Sequence, residues 1–247
     1  MKIAILETGA PAQPLQSKFG GYFEMFCAAF KEINSSAQFT NFPVYLDANL
    51  PVPDEFQGYI ISGSPFGVYE DHAFIEPLSV FIRESINSGV PIVGICFGHQ
   101  LMAEAMGGRV EKSSKGWGVG MHNYNINRLQ AGSQGGPATA LFLDSGLKSL
   151  SCLVSHQDQV VGLSPDITQI GGSSFCPNGI LSYGAGNGLS LQMHPEFTNE
   201  FASALLESRL DRIDTDCAVK ARDSFAHISN RLEILKKIQA FFDIYAK

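Results

Sequence analysis

The chain has 247 residues, 45% of them hydrophobic and 17% charged, and a formal net charge of -7. That length and composition can bury a substantial core in a globular protein, as one large domain or two small ones. The acidic balance, with no clustering of Lys and Arg, argues against a nucleic-acid partner, because binding a phosphate backbone needs concentrated positive charge.

In chain order, residues 2–6 are a short β run. Phe19, Tyr22, Phe23, Phe26, Phe30 and Ile33 then recur at helical spacing, and residues 39–46 are strand-like. Tyr59, Ile60 and Ile61 make a third, buried strand, residues 74–86 an amphipathic helix and residues 91–95 a fourth strand. The helix after Cys96 is expected to end at the Gly107 and Gly108 pair. This alternation predicts an α/β fold, a doubly wound and mostly parallel sheet with helices on both faces. Ligands in such folds sit at the carboxyl ends of the strands.

Residues 119–126, 152–155, 160–163 and 188–193 carry further β patterns, expected to add partly antiparallel strands to the same sheet. Residues 131–139, AGSQGGPAT, read as a flexible loop. Two helical patterns follow, one from 199 to about 213 and one from about 218 to 245. There is no internal repeat and no long linker, so residues 1–247 are expected to form a single domain, with 199–247 a C-terminal helical extension. The five cysteines are scattered, odd in number and without a C-x-x-C pair, which indicates neither a disulfide framework nor a zinc site. The N-terminus reads as a strand rather than a signal peptide, and no span is long enough to cross a bilayer. A cytoplasmic chain with working thiols is the expectation, with no membrane partner.

GICFGHQ, residues 94–100, sets Cys96 between Gly94 and Gly98 directly after an apolar run. Gly-x-nucleophile-x-Gly is the spacing of a reactive side chain on a tight strand-to-helix turn, where neighbouring β-carbons would collide. Alternatively, Cys96 is a small buried hydrophobe and the glycines end a strand. His194 ends the apolar stretch 189–193, and Pro195 stiffens a turn that carries Glu196 back toward the imidazole. Nucleophile, base and orienting carboxylate are then all present. For an oxyanion, the elbow geometry nominates the Phe97 N–H. The second donor is expected from the loop 61–71, ISGSPFGVYED, where Gly63 permits an unusual backbone angle and Pro65 sets the next turn.

GICFGHQLMAEAMGG, SGSPFGVYED, VSHQDQV and QMHPEF together resemble the class I glutamine amidotransferase family over roughly residues 40–200. The resemblance implies a Cys-His-Glu triad in which Cys96 attacks the side-chain amide of glutamine or another γ-glutamyl compound, leaving a thioester that water hydrolyses. It makes His194 the general base and acid and Glu196 its orienting partner. It also implies an oxyanion hole of the Phe97 and Ser64 amides, and substrate contacts from Gly63, Gln100, Gln157 and Asp158. No metal or cofactor is implied. His99 is read as a helix-flank residue, His156 as non-catalytic and Trp117 as a core residue.

Ser64 stands where many family members have a second glycine, as in S-G-G-P, and S-G-S-P resembles the γ-glutamyl peptidase branch. Residues after the triad read as amphipathic helix rather than a nucleotide-binding module, with no Gly-Lys phosphate loop. Either a separate synthase subunit takes the ammonia, or the chain is a free-standing hydrolase of a small γ-glutamyl substrate. A non-catalytic binding or regulatory domain is a third reading, weakened by the presence of Cys96, His194 and Glu196 together.

Overall fold

Successive residues of the first strand face different cores. Ile3 and Ile5 pack into one buried apolar cluster, and Ala4 and Leu6 into another on the opposite side. The same alternation splits Ile60 from Tyr59 and Ile61, and Val93 from Ile92, as expected for strands covered on both faces. The computed structural model describes residues 1–127 and 136–245.

The parallel strands are β1 (Lys2–Leu6), β2 (Gln38–Phe42), β3 (Gly58–Ile61), β4 (Ile92–Ile95) and a late strand, Gly188–Leu191. Between them run α1 (Gln13–Phe19), α2 (Tyr22–Glu32), α3 (Val44–Asp47), α4 (Ile75–Asn87) and α5 (Phe97–Ala105). The middle of the chain supplies β5 (Arg109–Lys112), β6 (Gly118–Ile126), α6 (Pro137–Leu143), β7 (Ser149–His156), β8 (Asp158–Gly162), β9 (Ile167–Gly172), β10 (Ile180–Tyr183) and the late strand β11. Helices α7 (Asn199–Glu207), α8 (Thr215–Ser224) and α9 (Arg231–Tyr245) close the described chain. The nine-stranded sheet runs β2-β1-β3-β4-β11-β10-β9-β6-β7, and its last four strands are antiparallel. The doubly wound, mostly parallel sheet with added antiparallel strands is the architecture observed.

Helices α4 and α5 cover one face through Leu78, Phe81, Ile82, Leu101 and Met102. On the other, α2 and α9 interleave Phe26, Phe30, Ile234, Ile238, Phe241 and Phe242 with Ile3, Ile5 and Val93. Helix α9 is therefore part of the layer that buries the parallel strands.

Several expectations change. The helical pattern over 19–33 divides at Gly20 and Gly21 into α1 and α2, and α1 carries too few apolar residues to show in the periodicity. The strand expected over 39–46 stops at Phe42, because Pro43 has no N–H for a ladder, and α3 follows it. Residues 158–162 do not extend the main sheet but pair with β5 in a two-stranded ribbon. Residues 137–139 of the expected loop begin α6, with Pro137 in its first turn; residues 131–135 lie outside the described residues. The helical pattern over 218–245 divides into α8 and α9, since Asn230 leaves the helix to exchange hydrogen bonds with Ser151 of β7, 2.7 Å and 2.8 Å long.

Phe242 on α9 is fully buried against the sheet. Phe242→Ala is expected to cost about 3–5 kcal/mol, lowering the urea midpoint of the whole chain in one cooperative transition. Loss of α9 helicity alone, ahead of the main transition, would show that the helix is not part of the common core.

Candidate active site

The site forms where the parallel strands end. β4 delivers Cys96, β3 delivers Ser62, Gly63 and Ser64, β1 delivers Thr8, and β11 delivers Gln192, His194 and Glu196. Cys96 has φ 52° and ψ -98°, backbone that a residue with a β-carbon adopts only at a cost of about 1–3 kcal/mol. Hydrogen bonds on both sides hold it: Cys96 N–H donates to Leu191 O at 2.9 Å, and Gly98 N–H to Ser62 O at 3.2 Å. Helix α5 and strand β3 meet so closely that a methyl group on Gly98 would lie 2.5 Å from Ile61 O. The glycine flanking the cysteine is thus required by space.

His194 and Glu196 are 3% and 2% exposed, and the imidazole Nδ1–H donates to Glu196 Oε1 at 2.7 Å. The ring lies close to Cys96, the two side chains flanking Gly63. It lies flat on Phe197, centroids 3.9 Å apart and planes 5° from parallel. Burial opposes a charged imidazole, but the neighbouring Glu196 and Cys96 outweigh it and raise the His194 pKa. Pro195, as expected, carries Glu196 back to the ring. Arg231 at the start of α9 holds that turn from behind: its Nε–H donates to Pro195 O at 3.1 Å while its other nitrogens grip Glu32.

Gly63 sits against both reactive groups. A methyl group there would come 2.9 Å from His194 Cε1 and 3.6 Å from Cys96 Cβ. Its φ is not in the left-handed region, so the expectation of an unusual angle is corrected: the glycine is needed for close approach. Thr8 Oγ1–H donates to the Gly63 carbonyl at 3.1 Å and Ser64 Oγ–H to Thr8 O at 2.8 Å, tying this loop to β1. No hydrogen bond among the described residues uses the Phe97 or Ser64 N–H. Both remain available as donors.

Cys96 opens onto a cavity of about 500 Å³ whose lining includes Ser64, Gln100, Gln157, Asp158, Trp117 and Arg209. Gln100 Nε2–H donates to Asp158 O at 2.8 Å and to Gln192 Oε1 at 3.2 Å, and Gln192 in turn donates to Cys96 Sγ at 3.5 Å. Tyr69 Oη–H donates to Asp158 Oδ2 at 3.0 Å; burial raises the Asp158 pKa, which this bond and Lys112 partly offset. Gln157 O accepts from Ser113 N–H at 3.0 Å.

Trp117 is half-buried on the cavity wall rather than in the core, because β6 starts one residue later and leaves its side chain at the rim. His99 is fully buried and hydrogen-bonded to Ser190 Oγ at 2.7 Å, with a pKa pushed down to about 3 by burial. His156 is likewise buried, its Nδ1 donating to Asp158 O at 3.0 Å. Sequence reasoning missed Gln192, Arg231 and Arg209. Gln192 stands two residues before His194, and a period of two puts both on one side of the strand end; the arginines, far off in sequence, give no such signal. No metal-binding group occurs among the described residues, and no described helix is long and apolar enough to cross a membrane.

The model of the family "Glutamine amidotransferase class-I" matches residues 18–212, and the chain belongs to that family. Gamma-glutamyl peptidase 3 of Arabidopsis thaliana is 26% identical over 229 residues, covering 90% of this chain and 88% of the relative. Gamma-glutamyl peptidase 5 of the same plant is 29% identical, covering 84% and 81%. A glutamine-hydrolyzing GMP synthase of Aeromonas hydrophila subsp. hydrophila is 32% identical over 149 residues, 58% of this chain but 26% of that protein. The crystal structure of a glutamine amidotransferase from Thermotoga maritima shares the fold, with TM-score 0.71 and 18% identity over 99% of this chain and 97% of that one.

The other four cysteines lack such surroundings. Burial holds Cys152 and Cys176 up to about 12 and raises the pKa of Cys27 and Cys217 as well. Iodoacetamide at neutral pH is therefore expected to alkylate Cys96 first, as read by peptide mapping. In Gly63→Ala, where the methyl group displaces the imidazole, Cys96 labelling should slow by roughly tenfold or more. Preferential labelling of Cys27 or Cys176 would contradict this assignment.

Proposed function

We propose that the chain is a cysteine hydrolase of γ-glutamyl amides that works through a γ-glutamyl thioester. The observation that carries this reading is the hydrogen-bonded pair His194 and Glu196 buried beside Cys96, which stands at a strained elbow opening onto a cavity. The Cys96 thiolate attacks the γ-carbonyl carbon, and the resulting oxyanion accepts from the Phe97 and Ser64 N–H groups. The imidazolium of His194 gives its proton to the leaving nitrogen, the C–N bond breaks, and ammonia or an amine departs. Neutral His194 then takes a proton from water, hydroxide attacks the thioester, the C–S bond breaks, and glutamate leaves. Glu196 holds the ring and stabilises its charged form. Gln100, Gln157, Asp158 and Gly63 surround the glutamyl portion.

The relatives that cover nearly the whole chain are named γ-glutamyl peptidases, which favours hydrolysis by the isolated protein. The GMP synthase likeness, confined to 58% of this chain, supports a second reading in which a separate synthase takes up the ammonia. The purified protein is expected to hydrolyse glutamine or γ-glutamylglycine unaided; silence toward both until a synthase is added would favour the second reading.

Because its pKa is raised, His194 stays protonated beyond its ordinary value of about 6.5. The rate kcat/KM should hold through neutral pH and fall only as pH rises through the raised value. Glu196→Gln removes the largest raising influence, so the alkaline fall should move to lower pH. His194→Asn is expected to lower kcat by roughly 10⁴- to 10⁶-fold, and Glu196→Gln by about 10²- to 10⁴-fold, leaving a measurable remnant. An unmoved alkaline limb in Glu196→Gln would refute this division of roles.

A further inference from the structure

Arg209 follows the C-terminal turn of α7 and reaches the cavity that Cys96 opens into. Its Nη1–H donates to Ser155 Oγ at 2.9 Å, and its guanidinium carbon lies over Trp117, 5.6 Å from the ring centroid. Ser155 and Trp117 brace the group from two sides, and its other N–H donors have no partner among the described residues. Every other arginine among the described residues has a carboxylate within ion-pairing distance: Arg83 with Glu76, Arg109 with Glu111, Arg212 with Asp211, Arg222 with Glu207 and Arg231 with Glu32. Arg209 has none. In a chain with net charge -7, acidic side chains are plentiful, and leaving a partly buried guanidinium without one is costly.

A planar fork of donors fits a carboxylate in bidentate fashion. The rest of the lining narrows the anion further. Glu70 and Asp158 share the cavity with Arg209, Lys112 and Arg212, so a molecule bearing both an ammonium and a carboxylate finds a partner for each. A volume of about 500 Å³ lies well within the range of about 300–1,000 Å³ of pockets that hold drug-sized ligands.

We propose that Arg209, braced by Trp117 and Ser155, is the specificity residue that binds a free carboxylate of the substrate, so that the cavity selects γ-glutamyl compounds of amino-acid character. The inference rests on the γ-glutamyl hydrolase reading and narrows its substrate. Two carboxylates carry this chemistry: the α-carboxylate of the glutamyl unit and the carboxylate of an amino acid serving as leaving amine.

Binding to the inactive variant Cys96→Ala separates them without relying on turnover. Titration calorimetry with γ-glutamylglycine, γ-glutamylglycinamide and 4-aminobutanoylglycine reads the effect of deleting neither carboxylate, the leaving-amine one, or the α-carboxylate. With Arg209 intact, deletion of the bound carboxylate should weaken Kd by roughly 10- to 100-fold, the effect of one charge-assisted pair. With Arg209→Gln the same deletion should cost less than about threefold, and Arg209→Lys should fall between. Because ligands are compared on one protein at a time, a general loss of folding cannot imitate this coupling. Loss of coupling to the glycinamide assigns the leaving-amine carboxylate and makes the substrate a γ-glutamyl peptide. Loss of coupling to the 4-aminobutanoyl ligand assigns the glutamyl unit. Penalties for both deletions that are the same with Arg209 intact as with Arg209→Gln would overturn the proposal. Failure of the hydrolase reading alone would appear differently, as absence of cleavage by the Cys96 protein while the calorimetric coupling persists.

Discussion

The backbone of Cys96 is the constraint around which the rest of the site is built. At φ 52° and ψ -98° the residue stands outside the regions that side chains with a β-carbon prefer, and nothing local to the heptapeptide would keep it there. The surrounding sheet does so. Its N–H is the last rung to β11, and two residues later the chain is tied to the end of β3. Strain at the cysteine is thus held by two neighbouring parallel strands, and the thiol is lifted from the end of β4 into the cavity.

A second consequence follows from the sheet order. Because β11 lies directly beside β4, the turn after β11 falls next to the elbow, and His194 needs no long side chain or mobile loop to reach Cys96. Burying a charged imidazole there is unfavourable unless its partners are fixed. Glu196 is fixed by its short turn, the turn by Arg231, and Arg231 by Glu32 on α2. The helix that buries the parallel strands on one face is therefore also the helix that steadies the histidine. Stability and site geometry share the same helix, a form of preorganisation in which no group has to be recruited at the moment of reaction.

Gln192 and Gln100 show a different use of buried polarity. Two carboxamides link the Asp158 carbonyl to the cysteine sulfur, joining the strand end that carries the histidine to the start of β8 in the two-stranded ribbon. Such a chain of donors and acceptors restrains the orientation of each member, because turning one leaves its buried neighbour unsatisfied.

Much of this was legible in the sequence, for reasons that are local. Alternating apolar strands and amphipathic helices specify a covered parallel sheet, since each pattern has one way to hide its apolar side chains. Gly94, Cys96 and Gly98 announce a tight elbow, and Pro195 between His194 and Glu196 favours a turn there. What adjacency in the chain could not convey was decided by the tertiary structure. Strands such as β9 and β10 are too short to show a period of their own, and they take their place where neighbouring strands offer them edges. Gly63 is required by the closeness of an imidazole more than a hundred residues away, and Trp117 is placed at a rim by where β6 begins. Arg231 and Arg209 lie in helical stretches whose periodicity explains only their exposure to solvent. Their positions behind the histidine and beside Trp117 exist only once α9 and α7 dock. The sequence by itself determined the pattern of layers and nominated Cys96, His194 and Glu196; the tertiary structure decided that these distant residues meet and, among the described residues, which charges are paired and which is left free, because both depend on distances in space.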